Sequence, residues 1–191
     1  MMIPVFGFGA WLKYDTLAKG ISHCFPCSGI LEQSHVVGVD GVLSVYQYAL
    51  DHLDLSMPTY LAPVINEAVK ACEINVQNKA EIYSVLLKLT DGDLQDVDAT
   101  TEALHKASGL PISVIIIGVG DEDFSHVEKF QNRFLVSSNG KTFLRNFVQF
   151  VPFKNFKNDV GLLAKHVLAG VPNQLVEYKM LIVKKPNPPI Y

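Results

Sequence analysis

The sequence predicts an α/β fold organised on a parallel sheet with helices on both faces. Three observations predict it. The stretch 85–89 is an apolar run that stops abruptly at Thr90, Asp91 and Gly92, and strands buried on both faces read as short continuous apolar runs. A second run, 112–120, repeats the design about thirty residues on, the length of one strand-helix-strand unit. The segment between them has a helical pattern. Asp96 or Asp98 can cap it, it runs to about Ser108, and Gly109-Leu-Pro111 ends it, because glycine and proline both punctuate helices.

The remaining elements follow in chain order. Residues 5–10 read as a strand with two glycines near its end, which suggest close backbone approach or special dihedral angles. Residues 21–25 make a short second strand, pairing with the first as an edge hairpin, and 29–38 read as a loop. Residues 42–53 carry helical spacing, apolar at 42, 43, 45, 46, 49, 50 and 53. A loop over 55–59 leads to a helix over 60–72, with Thr59 as its N-cap. Residues 75–79 are a polar linker. Beyond the second apolar run come a short helix over 124–130, a glycine-containing loop over 133–142, a strand over 147–151 and an amphipathic helix over 160–169. Residues 172–181 continue the packing. Residues 1–183 thus read as one domain, and 184–191 as a proline-rich tail outside it.

Bulk composition narrows the function. Hydrophobic residues at 49% against 18% charged are a globular balance with a sizeable core. A net charge of -3 gives no electrostatic reason to expect nucleic acid. No apolar run approaches the roughly 20 residues of a membrane span, and the start lacks the basic and apolar stretches of a secretory signal. Three cysteines, an odd number, do not suggest a disulfide framework. A protein of a reducing compartment, the cytoplasm, is expected.

Thr59 and Asp91 form the best constellation for chemistry. Asp91 stands at a strand's carboxyl end, where open α/β sheets place their ligands, and Thr59 at a helix start. A hydroxyl and a carboxylate are hard oxygen donors suited to magnesium or calcium. Against this stands a capping threonine and a turn aspartate, and two side chains alone make a weak site. Asp91-Gly-Asp93-Leu-Gln-Asp96-Val-Asp98 with Glu102 superficially matches a calcium loop. Asp96 falls where that loop's sharp turn needs glycine, and a strand precedes it rather than a helix. A solvated turn is the better reading. Cys24-Phe-Pro-Cys27, near His23 and His35, raises redox or zinc chemistry, weighed against an edge strand with two reduced thiols. Gly7-Phe-Gly9 and Gly118-Val-Gly120 lack the third glycine and following helix of a dinucleotide fingerprint.

A set of motifs resembles the copine family. They are Phe6-Gly-Phe-Gly-Ala10, Ser22-His23, Gly38-Val-Asp-Gly-Val42, Pro58-Thr59 with Ala62-Pro63-Val64-Ile65, and Thr90-Asp-Gly92. Leu110-Pro-Ile-Ser-Val-Ile-Ile-Ile-Gly-Val-Gly120, Val148-Gln-Phe-Val-Pro-Phe153 and Pro172-Asn-Gln-Leu-Val176 follow in family order. The resemblance implies a von Willebrand factor A-type domain, a doubly wound and mostly parallel sheet with a metal-ion-dependent adhesion site at its carboxyl edge. It implies a protein-interaction module, not an enzyme, in calcium-dependent phospholipid-binding machinery that recruits proteins to membranes. Thr59 falls on that site's second-loop threonine and Asp91 on its third-loop aspartate. The D-x-S/T-x-S loop of the family's first strand does not occur, and neither do its lipid-binding modules.

Several expectations follow. Magnesium binding is weak or absent, because the adhesion site is incomplete. The partners are protein targets, and membrane contact is peripheral and made through lipid-binding modules. In the strand order 3-2-1-4-5-6 the family's first strand is central, so the 85–89 strand has an open apolar edge. Either that edge closes against the 5–8 strand, or another chain completes it, which would make a homo-oligomer. The alternatives are a metal-dependent phosphotransferase or hydrolase using Asp91, and a non-functional fragment.

Overall fold

The computed structural model describes residues 1–156 and 159–183. They fall into two compact units, Met1–Glu67 with Leu94–Asp96, and Ala68–Asp93 with the chain from Val97 on. The proline-rich tail 184–191 lies outside the described residues.

The first unit is built from short strands and a helix. In chain order these are β1 (Met2–Pro4), β2 (Phe6–Gly7), β3 (Ala10–Leu12), β4 (Gly20–Ser22), β5 (Phe25–Pro26), β6 (His35–Val37), α1 (Gly38–Asp51) and β7 (Leu53–Leu55). All their pairings are antiparallel: β1 with β6, β2 with β5, and β3 between β4 and β7. The single strand expected over 5–10 is therefore two. Gly9 adopts φ +65, a left-handed conformation that breaks the ladder and gives β2 and β3 different partners. The stretch read as loop over 29–38 contains β6, whose pairing with β1 no local pattern announces. Beneath these strands Ala10, Leu12, Tyr14, Phe25, Cys27, Val45 and Ala49 pack into one buried cluster.

Helix α2 (Ala62–Gln77) runs past its expected end at 72 into the first three residues of the expected polar linker, 75–77, and β8 (Ser84–Thr90) follows. In the second unit come α3 (Val97–Ala107), β9 (Ile112–Gly118), α4 (Ser125–Glu128), β10 (Val148–Pro152), α5 (Val160–Leu168) and α6 (Val171–Val183). The three strands form one parallel sheet in the order β10-β9-β8, with Leu86 facing Val114 and Val148 also facing Val114. Every residue of the central strand β9 is buried, as its apolar run predicts. Ile115, Ile117, Val151 and Val167 form a core cluster where α5 covers the sheet.

Strand β8 departs from the expectation. Its burial alternates, and Val85, Leu87 and Leu89 are 46, 55 and 57% exposed. The physical reason is position. Its only strand partner among the described residues is β9, so one face and one edge stay uncovered. Of the two expectations for that edge, pairing with the 5–8 strand does not occur among the described residues, where β2 pairs with β5 instead.

One buried cation ties the second unit together. Arg145 is 2% exposed, and its guanidinium donates to the carbonyls of Leu110, Ile112 and Gln174 and to the Tyr83 hydroxyl. The rings of Tyr83, Phe147 and Tyr178 lie 6.0, 5.2 and 5.6 Å from its central carbon. Burial pushes its pKa down, opposed by Tyr83, Glu177 and Tyr178. A planar five-donor group is suited to gathering several carbonyls at once.

Candidate functional site

In open parallel sheets, ligands bind beyond the carboxyl ends of the strands. Strand β8 ends at Thr90, whose carbonyl accepts the Val119 amide at 2.8 Å and whose hydroxyl accepts the Gly92 amide at 3.3 Å. Asp91 sits between those anchors, exposed. Gly92 turns the chain at φ +105, and a side chain there would meet the Phe124 ring at 2.9 Å. The chain must therefore bend directly after Asp91, which leaves its carboxylate at the surface of the rim. At the end of β9 a Cβ on Gly118 would stand 2.7 Å from the same ring. Phe124 thus fills the space under the rim, packed on Phe150 at 5.3 Å between centroids. Asp121, Glu122 and Asp123 follow on the surface. The Asp123 carboxylate accepts the Ser125 amide and hydroxyl, both at 2.9 Å, and these bonds hold its pKa below the usual carboxylate range.

Thr59 lies in the first unit, half-buried, ahead of α2. It does not cap that helix. The Asp96 carboxylate accepts the amides of Leu61 and Ala62 at 2.9 and 2.8 Å, placing negative charge at the helix's positive end. Gln95 grips Thr59 from both sides. Its side-chain oxygen accepts the Thr59 amide at 2.5 Å, and its own amide donates to the Thr59 carbonyl at 3.2 Å. The Thr59 hydroxyl, relieved of capping, lies 3.9 Å from Met57 Sδ. Sequence reasoning missed Gln95 and Asp96 in this role, because a cap supplied from more than thirty residues away leaves no local signal.

The remaining candidates disperse. Glu102, the twelfth position of the calcium-loop reading, accepts the Ser138 hydroxyl at 2.6 Å and the Asn139 side-chain amide at 3.0 Å, so it pins a loop instead. Among the described residues, no group of three or more His, Cys, Asp or Glu is placed to hold a metal ion. Cys24, Cys27 and Cys72 are free thiols. Burial pushes Cys27 up to about 11, the opposite of the lowered pKa that redox thiols need. His23 packs on Tyr60 at 4.3 Å, and His35 touches the Ser34 hydroxyl.

Cys27 and Tyr14 make a pH prediction. The buried Tyr14 hydroxyl donates to the Cys27 carbonyl at 3.0 Å, and burial, then Cys27 and Tyr48, push Tyr14 up to about 12. Both groups are neutral acids whose protons the folded state keeps longer than the unfolded chain does. Their contribution to stability is whole below about pH 9 and is lost as the pH rises toward 11 and 12. Urea midpoints should therefore be flat from pH 7 to 8.5 and fall steadily above 9. A midpoint that holds or rises through pH 11 would refute this.

A mixed α/β domain with a parallel three-stranded sheet and an acidic rim at its carboxyl ends is what these elements define. Residues 1–187 match the family model described as Copine, and the chain belongs to the copine family. It is 38% identical over 189 residues to Copine-C of Dictyostelium discoideum, covering 98% of this chain and 34% of that protein. Copine-A of the same organism is 34% identical over 188 residues, 98% of this chain and 31% of the relative. Protein BONZAI 1 of Arabidopsis thaliana is 35% identical over 189 residues, 97% of this chain and 32% of the relative. The chain thus spans about a third of the length of these curated relatives.

Proposed function

We propose that this chain is a copine-type protein-interaction domain of doubly wound, von Willebrand factor A-like design, residues 1–183, and not an enzyme. The observation that carries the reading is the exposed Asp91 carboxylate at the end of β8, within a family match that runs through residues 1–187. The domain grips target proteins through the rim, and a carboxylate of the target completes a magnesium-type site. Thr59 and Asp91 are its donors in this chain. Their oxygen chemistry suits magnesium, which supplies a positive charge bridging domain and target. Their number does not, since the ion prefers six oxygens in octahedral array. Magnesium binding by the chain alone is accordingly weak or absent. The acidic rim and the net charge of -3 favour no nucleic acid. No helix among the described residues is long and apolar enough to cross a membrane. The domain acts in the cytoplasm and reaches the plasma membrane peripherally, with calcium-dependent phospholipid binding supplied by other modules of the machinery.

Isothermal titration of the chain with magnesium chloride tests the metal reading. The expected result is no saturable heat or a dissociation constant no tighter than roughly millimolar, with any such heat reduced in both Thr59→Ala and Asp91→Ala. Submicromolar binding, or saturable heat unchanged in both variants, would overturn it. For the interaction reading, proteins retained by the immobilised chain in magnesium should be released by chelator and should not be retained by Asp91→Ala. Identical retention by the wild type and the variant would sink it.

A further inference from the structure

Asn139 is followed by Gly140, and no other asparagine of the chain precedes a glycine. That dipeptide carries a chemistry of its own. With no Cβ on the second residue, its backbone nitrogen can approach the asparagine side-chain carbonyl carbon and displace ammonia. Both residues are exposed in the 133–142 loop. Gly140 adopts φ +73, and nothing lies within 4 Å of its Cβ position, so the space beside it is open. The fold holds the reacting groups elsewhere. The Gly140 amide donates to the Ser137 carbonyl at 2.9 Å. The Asn139 side-chain nitrogen, the group that would leave, donates to Glu102 Oε2 at 3.0 Å. Glu102 Oε1 accepts the Ser138 hydroxyl at 2.6 Å and the Asn139 backbone amide at 3.4 Å. One carboxylate on α3 therefore collects three donors from two successive loop residues. Its negative charge also opposes loss of the Gly140 amide proton one residue on, the step that makes that nitrogen a nucleophile.

We propose that Asn139 is a site of spontaneous deamidation guarded by Glu102, and that the reaction irreversibly unpins the loop from α3. The Gly140 nitrogen loses its proton to solvent and bonds to Asn139 Cγ. The Cγ–Nδ2 bond breaks, and the departing nitrogen takes a proton from solvent to leave as ammonia. Water then adds to one of the two carbonyls of the resulting succinimide ring and opens it. The product is aspartate, or isoaspartate with the side-chain methylene moved into the main chain. Nothing is oxidised or reduced, and one water is consumed for each ammonia released. Either product replaces the Nδ2 donor with a carboxylate beside Glu102. Two like charges then stand where a charge-assisted hydrogen bond stood. Isoaspartate also lengthens the main chain inside a turn that the Ser137 amide closes by donating to the Lys141 carbonyl at 2.8 Å. This inference does not depend on the metal reading.

Peptide mapping by mass spectrometry of the full chain, aged at neutral pH and physiological temperature, tests it. The wild type should accumulate aspartate and isoaspartate at position 139. Glu102→Ala and Glu102→Gln, each with an unchanged circular dichroism spectrum, should convert Asn139 several-fold faster. Asn139→Asp, which reproduces one product, should exchange the Ser137 and Lys141 amide protons several-fold faster than the wild type, while the amides of β9 keep their protection. An Asn139 that stays intact in all three aged chains would rule out the site. Equal conversion with and without the Glu102 carboxylate would rule out the guard, and unchanged exchange in Asn139→Asp would rule out the unpinning.

Discussion

Arg145→Ala is expected to lower the unfolding free energy by about 3–5 kcal/mol. The truncation opens a cavity among Tyr83, Phe147 and Tyr178 and strips a donor from the carbonyls of Leu110, Ile112 and Gln174. Those carbonyls belong to the turn before β9, to β9 itself and to α6, so one side chain anchors three places. Charge alone is not the point. Arg145→Lys keeps the charge but has three donors on one compact head, and cannot span the same set. It should lose about 2 kcal/mol or more. Urea denaturation followed by circular dichroism measures both. A loss below about 1 kcal/mol for Arg145→Ala would mean that water replaces the guanidinium at these carbonyls without penalty.

Gly29→Ala in the first unit should cost about 2–4 kcal/mol. Gly29 adopts φ +74, and a Cβ there would stand 2.4 Å from the Tyr14 ring. That ring is buried and stacked on His52 at 5.6 Å, nearly parallel, so it has little room to retreat. The Thr16 hydroxyl also donates to the Gly29 carbonyl, which fixes the backbone in place. Gly140→Ala is the control. Gly140 has φ +73 with nothing within 4 Å of its Cβ position, so its variant carries the backbone strain without the overlap. Thermal denaturation of both variants should separate them clearly. Equal losses would show that the ring yields and that dihedral strain accounts for the whole effect.

The parallel framework was readable because burial on both faces leaves a mark. The run 112–118 is apolar throughout, and β9 is buried throughout. The neighbouring run misled, because Lys88 and the flanking leucines do not reveal that one side of β8 faces solvent. Which strand lies at an edge depends on what is absent beside it, and no stretch of 85–89 encodes that. In the first unit the strands are two or three residues long, too short for periodicity to appear, and Gly9 divides what composition joined. Helix spans fared better, since α1, α2, α3 and α5 repeat an apolar spacing over several turns, whereas α6 was not read as a helix. Of the candidate site, the place of Asp91 just beyond the end of β8 was legible from the apolar run that precedes it. The fastening around Thr59 was hidden, because Gln95 and Asp96 look like ordinary polar residues ahead of α3. Arg145 was hidden for the same reason: nothing local marks an arginine as buried when its partners are carbonyls elsewhere in the chain.

The grip of Gln95 and Asp96 on the start of α2 has a bearing on how the chain is made. Contacts across 34 to 36 residues close late, after the loop between them has been ordered. Synthesis proceeds from the N-terminus, so the opening turn of α2 leaves the ribosome with its amides unfilled, and β8 is made before relief arrives. The amide protons of Leu61 and Ala62 consequently report the arrival of segment 94–96 rather than the winding of the helix to which they belong.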